Sequence, residues 1–80
     1  MVGKLRSRFL ILLTQRELRE GRRIRYNEIA AATGVSPSAV ARWTRNEVNK
    51  FEGPVLEAFC AYFDCDVGDL LYIESEKKEG

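Results

Sequence analysis

Tyr26-Asn27-Glu28-Ile29-Ala30-Ala31-Ala32-Thr33-Gly34-Val35-Ser36-Pro37-Ser38-Ala39-Val40-Ala41-Arg42-Trp43-Thr44-Arg45 decides the fold. Its first eight residues, rich in alanine, have strong helix propensity. Gly34 stands where a left-handed residue would end that helix, a conformation that costs a Cβ-bearing residue about 1 kcal/mol or more. Ser36 then offers a capping oxygen and Pro37 a first helical residue, opening a second helix expected to reach about Asn46. Two helices joined by only Gly34-Val35-Ser36 must cross. Ala30 is small enough to let them approach there. Val40 and Trp43 turn one face of the second helix to the core, with Ile29 and Val35 completing the apolar set. Ser38, Ala41, Arg42 and Arg45 share the opposite face at i, i+3, i+4 and i+7. An exposed helix face of short side chains and arginines suits the DNA major groove.

Working outward, Leu5, Phe9, Leu12 and Leu13 repeat at helical spacing, which predicts a first helix over Leu5–Glu20 ending at Gly21. Ile11 and Leu18 fall on its other side and call for a second contact. After the crossing pair, Asn49–Gly53 reads as a connection. A fourth helix is expected from about Pro54 to Phe63, with Leu56, Phe59, Cys60 and Phe63 inward. Asp66-Val67-Gly68-Asp69 places acids at the cap and third positions of a short fifth helix reaching about Leu71. Tyr62 and Tyr72 read as packing residues. No strand pattern stands out. The expectation is therefore one all-α, five-helix domain over residues 1–73, with a polar tail that frays over 74–80.

Net charge is +1, but residues 1–25 carry eight Lys/Arg against two Glu, whereas residues 52–80 carry two against eight Asp/Glu. That asymmetry suits a polyanion on one side, and suits a solvated mixed surface as well. The longest apolar run, Phe9–Leu13, is far below the ~20 residues of a membrane span. No secretory cleavage site follows it, so a cytoplasmic protein is expected. Cys60 and Cys65, without histidine or a second ligand pair, read as quiet thiols in a reducing compartment, and no metal or other cofactor is expected. With no histidine, no paired carboxylates and no Gly-rich phosphate loop, catalysis is not expected.

The run Ile24–Trp43 resembles the helix-turn-helix of the Xre family, the phage repressor and Cro group. The likeness continues through Asn46, the fourth helix and Val67-Gly68-Asp69-Leu70-Leu71, covering about residues 5–73. It implies a five-helix domain that binds operator DNA and regulates transcription, in the repressor manner. Two places depart from the family pattern. Arg25 and Tyr26 stand where the family usually has Thr and Gln, and Thr44-Arg45-Asn46 where it often has Glu-Arg-Gly. Arg25 cannot accept a capping hydrogen bond, although Glu28 can reach back to a backbone N–H.

On this reading Ser38 and Arg42 contact bases, while Pro37, Ala39 and Ala41 shape the groove contact. Tyr26, Asn27, Arg45, Asn46, Asn49 and Lys50 are candidates for the DNA backbone, as are Arg22, Arg23 and Arg25, which equally suit electrostatic termination of the first helix. Double-stranded DNA is the expected partner, met by a homodimer joined through the Ile11/Leu18 stripe or the end near Leu71 and Tyr72. A protein-interaction module, or an antitoxin-like protein that binds DNA and a second protein, is the alternative the same fold would serve.

Overall fold

The computed structural model describes residues 3–75, whose elements run β1 (Gly3–Ser7), α1 (Phe9–Glu20), α2 (Tyr26–Thr33), α3 (Pro37–Thr44), α4 (Gly53–Phe63), α5 (Val67–Leu70) and β2 (Leu71–Ser75). The five helices form as expected, but the fold is not all-α. β1 and β2 pair antiparallel, with Gly3 opposite Ser75, Leu5 opposite Ile73 and Ser7 opposite Leu71. Leu5 is thus a strand residue, and α1 begins four residues later than its apolar spacing predicts.

The boundary has a local cause. The Ser7 hydroxyl accepts the Phe9 N–H at 3.3 Å, and the Arg8 N–H donates to the Leu70 carbonyl at 2.7 Å. The Arg8 N–H is thus satisfied by the far end of the chain, while the Arg8 carbonyl accepts the Leu12 N–H and opens the first turn of α1. Arg6 and Glu74 add an ion pair across the strands at 3.0 Å. Gly3 is required by close approach, because a Cβ there would lie 2.2 Å from Ile73 Cγ2. Since β2 reaches Ser75, residues 74 and 75 belong to the fold rather than to a tail. The rest of the expected tail, 76–80, lies outside the described residues.

Among the described residues nine side chains make the core: Phe9, Leu13, Ile24, Ile29, Val40, Trp43, Phe59, Phe63 and Leu70. Phe9 stands edge-on to Phe59 and Phe63 at 4.8 and 5.3 Å between centroids, and Trp43 meets Phe59 at 5.0 Å. These aromatic contacts join α1, α3 and α4 around one centre, in the edge-to-face arrangement that ring quadrupoles favour. Trp43 is the member that matters for function, because it nails the inner face of α3 in place. Asp66 and Asp69 form the expected reciprocal capping box at α5. Among the described residues, no helix is long and apolar enough to cross a membrane.

Candidate nucleic-acid interface

The α2–α3 turn is built from local hydrogen bonds. Gly34 has φ +82 and its N–H donates to the Ala30 carbonyl at 2.8 Å. Thr33 Oγ1 donates to the Ile29 carbonyl at 2.8 Å and accepts the Val35 N–H at 3.2 Å. Ser36 caps α3, its hydroxyl accepting the Ala39 N–H at 3.2 Å. The space around Gly34 is open, so φ and not crowding is what selects glycine there.

Val40 and Trp43 are buried, so the opposite face of α3 is fixed outward. Pro37, Ser38, Arg42 and Arg45 are exposed on it, with Ala39 and Ala41 half-buried between them. The Arg42 side chain forms no hydrogen bond or ion pair with the described residues. Arg45 Nε lies 3.1 Å from Glu47 Oε1, which draws that guanidinium toward the loop after α3. The helix ends at Thr44, two residues short of expectation, because Asn46 turns left-handed at φ +61. This is the position where the phage-repressor pattern often has Gly, and Asn is among the few other side chains that tolerate it. Asn46 Oδ1 also accepts the Ser7 N–H at 3.0 Å, tying the end of the crossing pair to β1.

This arrangement of an outward α3, crossed on α2 by a glycine turn, coincides with a family-level match: the model of the Cro/C1-type HTH DNA-binding domain matches residues 16–76. The chain belongs to the Cro/C1-type HTH DNA-binding domain family. No curated protein and no solved structure matches it.

In this Cro/C1-type domain the expected backbone-contact residues divide into groups. Arg25, Tyr26 and Asn27 are exposed together at the start of α2, and Asn49 and Lys50 are exposed in the loop after α3. Arg23, with its side chain 91% exposed, lies 4.0 Å from Glu17. Arg22 is instead held inside an ion network. Its guanidinium grips both carboxylate oxygens of Glu28, 3.0 Å from Oε1, and its Nε lies 3.2 Å from Glu20. Glu20 also accepts from Arg16 Nε at 2.8 Å, and Arg16 lies over the Tyr62 ring and donates to the Tyr62 carbonyl near the end of α4. The Arg22 hydrogen bond and charge hold the Glu28 carboxyl below the usual range, with help from the Arg25 backbone. The hydrogen bond from Arg16 does the same for Glu20.

Besides the Arg22–Glu28 pair, two features were not anticipated from sequence. Glu17 Oε2 accepts the Ile24 N–H at 2.8 Å, satisfying a backbone donor in the connection between α1 and α2. The Asn46–Ser7 bond spans 39 residues, and only the Gly-to-Asn departure hinted at a special backbone there. The thiols behave as expected of quiet cysteines. Both are half-buried, and burial pushes Cys65 up to about 11, with the neighbouring Cys60 adding to the effect.

Proposed function

We propose that this protein is a sequence-specific duplex-DNA-binding transcriptional regulator, a repressor by its likeness to the phage group, that lays α3 in the major groove. The observation that carries the reading is the unpartnered Arg42, one turn beyond Ser38 on an outward face that Val40 and Trp43 hold rigid. A guanidinium so placed can bridge guanine O6 and N7, and a serine hydroxyl can donate or accept at a neighbouring base. Pro37, Ala39 and Ala41 are small or compact enough to let the backbone of α3 approach the groove floor. Arg25, Tyr26 and Asn27 would hold one phosphate strand, with Arg23 beside them, and Arg45, Asn46, Asn49 and Lys50 the other. Arg22 serves this reading by fixing the α1–α2 connection. Asn46 uses its side-chain carbonyl internally and so has only its amide to offer.

A single domain of this size covers ~600–1,000 Å² of DNA interface, which favours two copies on symmetric half-sites about one helical turn apart. Selection of bound duplexes from a random library is the test. Recovery of a defined motif is the expected result, and absence of any enriched sequence at low salt is the result that defeats the proposal.

A further inference from the structure

Cys60 and Cys65 take no part in the reading of α3, and neither belongs to the proposed DNA contacts. Were α4 to run on through both, a separation of five positions would set their side chains roughly 140° apart around the helix axis. The helix does not run on. Asp64 is left-handed at φ 55 and ψ 55, its N–H donates to the Ala61 carbonyl at 3.3 Å, and the Cys65 N–H donates to the Cys60 carbonyl at 2.9 Å. Those two bonds make a Schellman ending, in which the residue after the left-handed one folds back onto the last turn of the helix. The side chains brought together in such an ending are frequently apolar and make a small hydrophobic contact. Here they are two thiols.

The surroundings suit a bond between them. Both cysteines are free and half-buried, packed at the edge of the core and still open to a small reagent. Burial is the main cause that pushes the Cys65 thiol up to about 11, and Cys60 is the next, so the two sulfurs are near neighbours. Among the described residues no group of three His, Cys, Asp or Glu side chains is placed to hold a metal ion. Chemistry that needs two sulfurs and no third ligand is what this turn offers.

We propose that Cys60 and Cys65 are a redox modification site, closing to an intramolecular disulfide when a hydroperoxide is the oxidant. Cys65 thiolate is scarce near neutral pH, which leaves the Cys60 sulfur to attack first. That sulfur bonds to one peroxide oxygen as the O–O bond breaks, giving a sulfenic acid on Cys60; the departing oxygen takes up the thiol proton and leaves as water. The Cys65 sulfur then displaces the hydroxyl from Cys60, which leaves with the Cys65 proton as a second water, and the S–S bond forms. The two thiols have lost two electrons and two protons, and hydrogen peroxide has become two waters. A high thiol value slows this second step, but the turn already holds the Cys65 sulfur beside its target. A dithiol reductant returns both electrons and both protons. Closure staples the end of α4 to the residue just before the Asp66 cap of α5. None of this depends on the DNA-binding reading.

The experiment treats the full, reduced chain with hydrogen peroxide in the presence of a metal chelator, then follows intact mass, labelling by iodoacetamide and unfolding in urea. The expected product is a single chain lighter by two hydrogen atoms, which takes no label and regains both thiols in dithiothreitol. Cys65→Ser should stop at the sulfenic acid on Cys60 and be trapped there by dimedone, whereas the parent should give little of that adduct. Because the native turn presents the sulfurs to each other, the oxidised chain should unfold at a urea midpoint no lower than the reduced one. Thiols that survive peroxide untouched would overturn the proposal, as would sulfinic and sulfonic acids formed without closure. Disulfide-linked copies as the main product would overturn it too. A lower urea midpoint after oxidation would show that the turn must be distorted to make the bond, and would remove the geometric ground for the site.

Discussion

Arg42 and Asn46 stand four residues apart and do opposite kinds of work. The Arg42 side chain is exposed and bonds to none of the described residues, so its removal should be felt only by the ligand. Arg42→Ala is expected to cost ~1–3 kcal/mol on the preferred duplex and to relax selection at one base pair, with circular dichroism unchanged. Lys50→Ala should weaken all sequences alike. Site selection repeated on each variant checks this, and an unaltered preference in Arg42→Ala would move that side chain from bases to backbone. Asn46 is the reverse case, a residue of stability. Asn46→Gly keeps the left-handed turn and loses the acceptor for the Ser7 N–H, at a cost of about 1 kcal/mol. Asn46→Ala loses the acceptor and adds backbone strain, bringing the cost to about 2 kcal/mol. Urea unfolding of the pair tests the order, and an alanine variant as stable as the glycine variant would show that the turn tolerates any residue.

Among the elements, the α1–α2 connection depends most on charge. Glu28 and Glu20 have lowered carboxyl values, so their bonds to Arg22 and Arg16 favour the fold above the ordinary glutamate value of 4.5 and fade as pH falls through the lower folded-state values. Glu28→Gln should therefore melt lower than the parent at neutral pH. The gap should shrink once the pH is well below 4.5, and added salt should narrow it at neutral pH. A gap that persists unchanged in acid would show that Glu28 contributes through packing. Which elements could be read in advance follows from where their signals lie. Ser36, Pro37, Gly34 and the Asp66/Asp69 box are local instructions, and all four do what their chemistry dictates. The strands could not be read that way. Leu5 sits four residues before Phe9, so its spacing imitates a helix, and its actual neighbour, Ile73, is remote in sequence. Likewise α3 was legible as an outward helix because Trp43 and Val40 fix its face. The capture of Arg22 by Glu28 was not, since it depends on how the chain bends after Gly21.

At the scale of the whole molecule the charges are segregated along the chain, with cations concentrated before Tyr26 and carboxylates after Phe51. Binding to duplex should accordingly lose affinity steeply with salt, at ~0.9 in log K per log salt for each phosphate neutralised. Sedimentation of the complex should give two protein copies per duplex. A salt-insensitive affinity, or one copy on a non-palindromic site, would count against the phosphate contacts and the dimer respectively. The small sheet has a different bearing. Gly3 and Ser75 are direct partners, so the two ends of the described chain lie side by side although nearly the entire sequence separates them. Pairing them requires closure of the largest loop the molecule contains, and such remote contacts slow folding. A circular permutant, with the old ends joined by a short glycine linker and new ends opened at Gly21–Arg22, would turn β1 and β2 into a hairpin. The search for the sheet would become a local event, and the permutant should refold faster than its parent while presenting the same α3 to solvent.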